Sequence, residues 1–159
     1  MVHGGRSKDY SENTDTSVVE LFDMYTESWQ QKEVTGQAPY AYGAASASVD
    51  DDLFTFGGQD DSRSFNALHS LKKSWQWIEL CAQNKNPKSP MAKIGAGMVA
   101  FGEDLAVMGG FGIPHGPTQP ESSFTGDTRR TSDGAGWTNE FHTYNLKDGM
   151  YTCKIDSFI

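Results

Sequence analysis

The sequence predicts an all-β fold built from repeated four-stranded antiparallel units, and three observations predict it. A diglycine recurs as Gly4-Gly5, Gly57-Gly58 and Gly109-Gly110, at spacings of 53 and 52 residues. The stretch from Tyr42-Gly43-Ala44-Ala45 to Asp52-Leu53-Phe54-Thr55-Phe56-Gly57-Gly58 aligns without a gap on Ile94-Gly95-Ala96-Gly97 to Asp104-Leu105-Ala106-Val107-Met108-Gly109-Gly110. After each diglycine comes a polar loop, then a partly apolar stretch that leads to an aromatic. Leu21-Phe22-Asp23-Met24 leads to Trp29, Leu68-His69-Ser70-Leu71 to Trp75 and Trp77, and Phe141-His142-Thr143-Tyr144-Asn145-Leu146 to Tyr151. Self-similarity at a fixed period of this size marks a repeat architecture.

Local patterning makes each segment a strand. Leu53-Phe54-Thr55-Phe56 and Leu105-Ala106-Val107-Met108 are short apolar runs bounded by Asp and Gly, as in strands buried on both faces. Asp50-Asp51-Asp52 and Gly102-Glu103-Asp104 are turn signals that fold the chain back as hairpins. The diglycine closes a strand where the backbone passes close to a neighbour or takes a positive φ. Unit two is expected to place strands at roughly 42–49, 53–57, 65–71 and 75–81, and unit three at roughly 94–101, 105–109, 140–146 and 150–156. The units span 1–37, 38–89 and 90–159, and the first begins at its second strand.

Composition narrows the function. The 159 residues carry a net charge of −8, with 36% hydrophobic and 21% charged residues, which describes a globular chain without the basic stripe of a nucleic-acid binder. No apolar run approaches the roughly 18 residues of a membrane span, and no signal-peptide core follows Met1. A cytoplasmic or nuclear location is expected. Cys81 and Cys153 lack metal-site spacing and read as two reduced, buried thiols. His3, His69, His115 and His142 are scattered, and His69 and His142 read as packing residues of third strands. The Asp50-Asp51-Asp52 run lacks the glycine and distal glutamate of a calcium loop and reads as a solvated turn, as does Asp60-Asp61. No metal, cofactor or catalytic constellation is expected, and the chain is not read as an enzyme.

A unit of about 50 residues with a diglycine and a later aromatic resembles the kelch repeat, whose blades assemble into a β-propeller. The resemblance rests on Phe56-Gly57-Gly58, Met108-Gly109-Gly110, Phe22-Asp23-Met24, Tyr144-Asn145-Leu146, Trp29, Trp75 and Trp77. It implies a kelch-type β-propeller fragment of about two and a half to three four-stranded antiparallel blades, with the ring not closed. Closure takes roughly four to eight blades. An open arc leaves blade faces without neighbours, so these residues expressed alone are expected to oligomerise, aggregate or fold poorly.

In such a blade the loops between strands two and three share one face with the connections between blades. Arg6, Gln59 and Phe111 each follow a diglycine and start such loops. Lys93 opens unit three on the same face, where unit two has Ala41. The loop at 111–138 runs about 28 residues, against about six in unit two, and carries Arg129 and Arg130. Loops of this length are functional or passive insertions, and Trp137 at its end either lines a pocket or packs the loop onto the blade.

Ser89-Pro90-Met91-Ala92-Lys93-Ile94-Gly95, Met108-Gly109-Gly110-Phe111-Gly112 and Gly136-Trp137-Thr138-Asn139-Glu140-Phe141-His142 resemble the kelch domain-containing substrate receptors of cullin–RING ubiquitin ligases, above all those that read C-terminal degrons. The resemblance implies a protein- or peptide-binding module that acts as a substrate adaptor in ubiquitin ligation. It implies a ligand on the loop face at Lys93, Phe111 and Trp137, and cullin–RING partners contacted through regions not in this chain. Phe111 stands where that group has a tyrosine, and Arg6 where an aromatic is expected. Lys93 also reads as a surface lysine, or as a stand-in for the arginine common at this kelch position. Two rival functions stay open, a fragment of a kelch-propeller enzyme of oxidase or specifier type and a purely structural or cytoskeletal scaffold.

Overall fold

A computed structural model describes residues 1, 3, 18–39, 41–60, 63–81, 90–113, 136–138 and 140–153. These form strands β1 (Val18–Asp23), β2 (Ser28–Glu33), β3 (Ala45–Val49), β4 (Asp52–Phe56), β5 (Leu68–Leu71), β6 (Trp77–Cys81), β7 (Ala92–Ile94), β8 (Gly97–Phe101), β9 (Asp104–Met108), β10 (Phe111–Ile113), β11 (Gly136–Trp137), β12 (Phe141–Asn145) and β13 (Met150–Cys153). Among the described residues no helix is long and apolar enough to cross a membrane.

The strands group as the repeat predicts. One antiparallel sheet runs β3-β4-β5-β6 and a second β8-β9-β12-β13, and these are blades two and three. The hairpin β1-β2 is the outer half of blade one, and its diglycine lies outside the described residues. Equivalent residues keep equivalent partners. Thr55 pairs with His69 as Val107 does with His142, and Leu71 with Trp77 as Tyr144 does with Tyr151.

Each expected first strand divides in two. In blade three, β7 leaves blade two's edge, Gly95 turns at φ 61°, and only then does β8 join its own blade. In blade two, Tyr42 makes an isolated bridge to Gln59, Gly43 turns at φ 68°, and β3 follows. The left-handed conformation that glycine permits is what splits the strand.

The core lies between blades. Phe54, Phe56 and Leu68 of blade two bury against Leu105, Val107, Tyr144 and Tyr151 of blade three. Val19 and Val34 of blade one bury against Leu71 and Trp77 of blade two. The recurring aromatic of the fourth strand is thus a junction residue, facing the blade before it. Hairpins are tied alike at the opposite end. Lys72 Nζ donates to Asp52 Oδ2 and Asn145 Nδ2 to Asp104 Oδ1, each at 2.8 Å. Lys73 pairs with Asp51 at 2.7 Å across the surface, and the acidic turn is solvated as expected, with Asp51 exposed. Asp60 closes its own turn by accepting from the Arg63 N–H at 2.8 Å. Cys81, expected buried, is half-buried because β6 is the outer strand of its sheet, and burial, then the Glu79 charge, push its thiol pKa up.

The diglycine permits close backbone approach, of Gly57 to the lead-in strand of blade three and of Gly110 to β7 of its own blade. A Cβ on Gly57, at φ 72°, lies 2.6 Å from the Lys93 carbonyl oxygen, and one on Gly110, at φ 92°, lies 2.9 Å from that of Ile94. Gly102, at φ 58°, has nothing within 4 Å. Gly102→Ala is therefore expected to cost about 1 kcal/mol, for the left-handed backbone alone. Gly57→Ala adds a backbone clash and is expected to cost roughly 2–4 kcal/mol. Urea midpoints of the two full-length variants check this, and equal midpoints would count against a close-approach role for Gly57.

Candidate functional site

The loop face of blade three carries a small sheet of its own, in the order β11-β10-β7. Phe111 pairs with Ile94 on one side and Trp137 on the other. Gly112 pairs with Lys93 and Gly136. The ends of the predicted loop at 111–138 are therefore strands, and 114–135 lies outside the described residues.

Blade two has a reduced version of this sheet. Gln59 bridges Tyr42 and Ser64, as Phe111 bridges Ile94 and Trp137. The Phe65 N–H donates to the Gly58 carbonyl at 2.8 Å, as Thr138 N–H does to Gly110 at 2.9 Å. The Gly57 N–H reaches the Ala67 carbonyl at 3.2 Å, as Gly109 reaches Glu140 at 3.1 Å. Trp137 therefore occupies the place of Ser64, Glu140 that of Ala67 and Phe111 that of Gln59. Lys93 corresponds to Ala41. The same scaffold carries different chemistry in each blade.

Side chains alternate between the faces of a sheet. The register puts Ile94, Phe111 and Trp137 on one face. Phe111 is buried, and Trp137 meets it edge-on, with centroids 5.7 Å apart and planes at 83°. Such edge contacts contribute about 0.5–1.5 kcal/mol beyond area burial, and Trp137 remains 70% exposed.

Lys93 belongs to the other face, with two glycines beside it. Its N–H donates to the Phe65 carbonyl at 3.0 Å, and its carbonyl accepts from the Gly58 N–H at 2.9 Å. Its side chain is fully buried, and Nζ donates to Glu140 Oε2 at 2.9 Å. His142 Nε2 lies 3.5 Å from the same oxygen. Burial alone pushes the Glu140 carboxyl up, but hydrogen bonds from His142 and Lys93 and the charge on both outweigh it and hold the pKa at about 2. Glu140 is therefore an anion at any ordinary pH. Its backbone N–H donates to Thr138 Oγ1 at 3.1 Å, which joins the ion pair to the strand bearing Trp137.

The structure thus brings Lys93, Phe111 and Trp137 onto one three-stranded sheet, with the lysine ammonium inside the protein and the indole outside. Gln59 is buried in blade two, where its Nε2 donates to the Tyr42 hydroxyl at 2.6 Å. It follows Gly58, the donor to the Lys93 carbonyl. Arg6 lies outside the described residues. Sequence reasoning gave no role to Glu140 and only packing to His142. Lys93, the partner of Glu140, lies 47 residues before it, and no local spacing signals the pair. A lysine and a glutamate at positions where the other repeat has two alanines are the available clue. Among the described residues, no group of three or more His, Cys, Asp or Glu stands ready to hold a metal.

Four-stranded antiparallel sheets, each with a diglycine after the second strand and a buried aromatic on the fourth that packs on the sheet before it, define blades of a kelch-type β-propeller. The profile of the KLHDC2/KLHL20/DRC7 Kelch-repeats domain matches residues 1–155, and the chain belongs to that family. It is also similar to acyl-CoA-binding domain-containing proteins 4 and 5 of Arabidopsis thaliana, each 35% identical over 94 residues. Those matches cover 56% of this chain and 14% of each relative.

Two outcomes test the ion pair. The Glu140 pKa of about 2 lies below its ordinary 4.5, so its stabilisation is complete above about pH 4.5 and is lost as pH falls through 2. Glu140→Gln leaves a buried ammonium without its anion and is expected to cost about 3–5 kcal/mol at neutral pH. That difference from the parent protein should shrink between pH 4.5 and 2 in urea titrations. A difference that stays constant down to pH 2 would argue that the pair is not what holds the strands. Separately, Lys93→Ala with Glu140→Ala reproduces what blade two carries. The double variant is expected to be more stable than either single one, by thermal unfolding, and additive losses would contradict the pairing.

Proposed function

We propose that this chain is a protein- or peptide-binding module whose ligand docks on the loop face of blade three, over the Phe111–Trp137 platform. A single observation carries this reading. Trp137 is 70% exposed yet held edge-on by Phe111 on a hydrogen-bonded sheet, at a place where blade two has only Ser64. A large, rigid, exposed indole loses little conformational freedom on binding, which is why tryptophan is enriched among interface hot spots.

Membership of the kelch-repeat family supports an interaction role in general. The finer reading, a substrate adaptor in ubiquitin ligation, rests on the resemblance in the Lys93, Phe111 and Trp137 segments, with cullin–RING components met through other regions. In this reading Lys93 acts from beneath. Its ammonium is paired with Glu140, and its backbone fixes the platform to blade two. The acyl-CoA binding in the names of the two plant relatives is not carried over to this chain.

A peptide array probed with the full-length protein, followed by anisotropy titration of the peptides it retains, tests the platform. Trp137→Ala is expected to weaken binding at least tenfold, the scale of one hot-spot residue, and to lower the unfolding free energy by no more than the about 0.5–1.5 kcal/mol of its contact with Phe111. Peptide affinity unchanged by Trp137→Ala would remove the platform from the site.

A further inference from the structure

The junction between blades one and two carries two titratable rings that the Phe111–Trp137 platform does not use. His3 stands just before the first diglycine, where the next repeat has Phe56. Phe56 lies against Tyr151 of the blade that follows it, with centroids 6.5 Å apart. His3 lies in the same way against Trp77 of the blade that follows it, with centroids 4.7 Å apart and planes at 43°. A phenylalanine of one junction is thus a histidine of the other. His69 faces the same seam. It pairs across the strands with Glu79, two residues along from the Leu71–Trp77 pair, so all four side chains share one face of blade two. That is the face on which Leu71 and Trp77 bury against Val19 and Val34 of blade one.

The seam suits neutral imidazoles. His3 Nε2 lies 3.3 Å from the Pro39 carbonyl oxygen, which can only accept, so Nε2 carries the proton. Nδ1 is then the bare lone pair, and it is buried with no hydrogen-bond partner among the described residues. Protonation would place a charged N–H where nothing accepts it, and a buried donor without a partner is costly. Burial accordingly lowers the His3 pKa below its ordinary 6.5, against the Pro39 carbonyl, which raises it. His69 is half-buried between Thr55 and Glu79. Burial lowers its pKa too, with the Glu79 charge opposing and the His3 charge adding to the fall. Lys32 of blade one lies at the outer rim of the same junction, over the Trp75 ring.

We infer that the seam between blades one and two is an acid-sensitive hinge, closed while His3 and His69 are neutral and opened when both rings take up protons. Both groups have lowered pKa values in the folded state, so their stabilisation is complete above about pH 6.5 and is lost as pH falls below it. The junction between blades two and three has Phe56 in place of His3 and stays closed over the same range.

Hydrogen exchange of the full-length protein, read residue by residue by NMR and corrected for the intrinsic rate at each pH, tests the hinge. The Thr35 N–H, bonded to the Trp75 carbonyl at 2.9 Å, and the Trp77 N–H, bonded to the Thr35 carbonyl at 2.8 Å, report the seam. The Gly58 and Lys93 N–H groups report the other junction. From about pH 7.5 to about 5.5, protection of the first pair is expected to fall at least about fivefold, while that of the second holds. His3→Phe, which copies Phe56, should remove most of that fall and leave protection at the higher pH unchanged. In the unaltered protein, the imidazole carbon-bound protons of His3 and His69 should titrate below 6.5, a readout that does not depend on how the variant folds. Protection at Thr35 and Trp77 that holds throughout would overturn the inference. So would an equal fall at both junctions, a fall that His3→Phe leaves intact, or titration of both rings at 6.5 or above.

Discussion

The Lys93 carbonyl comes so near blade two that a side chain at Gly57 has no room. It reaches there because the Gly58 N–H binds it while the Phe65 carbonyl takes the Lys93 N–H. Two backbone hydrogen bonds from one residue thus fasten blade three's lead-in strand to blade two. Much else depends on this approach. It sets where Gly95 turns the chain into β8, and hence how Phe54 and Phe56 meet Leu105, Val107 and Tyr151. It also fixes β7, the strand on which the β10-β11 platform is laid.

The side chain of the same residue extends the constraint in the other direction. A buried ammonium is tolerated only with a counter-charge, and Glu140 supplies it. The pair is not demanded by the blade, since Ala41 and Ala67 fill the equivalent places in blade two. Replacing a buried pair with apolar residues is often neutral in stability, whereas removing one partner is not. The gain lies in placement. Glu140 lies just after the strand that carries Trp137, and the Lys93 bond fixes that return point against a lead-in strand already held by blade two. The platform is therefore tied to the neighbouring blade through β7.

Much of this was legible in the sequence, and the remainder was hidden for identifiable reasons. Leu53 to Phe56 and Leu105 to Met108 read as strands because an apolar run between Asp and Gly has few other folds. The split of the first strand was not legible, because Tyr42-Gly43-Ala44 and Ile94-Gly95-Ala96 read as continuous strand until the positive φ of the glycine is seen. Lysine is almost never fully buried, so its burial at 93 had no local signal. The placement of Phe111 beside Trp137 depended on pairing across a segment of more than twenty residues, which periodicity does not report.

The aromatic of the fourth strand shows how far a residue's role depends on its neighbours. Full burial of such a side chain contributes on the order of 1.5–3 kcal/mol or more, yet that gain belongs to the junction and not to the blade. Trp77 and Tyr151 realise it against blades one and two, while Trp29, in the same register, does not. Stability in a repeat array is therefore a property of pairs of blades. Blade two is covered on both faces, and the platform of blade three is anchored to it through Lys93. The exposed indole at Trp137 thus stands on a sheet tied by backbone hydrogen bonds to the blade that is covered on both faces.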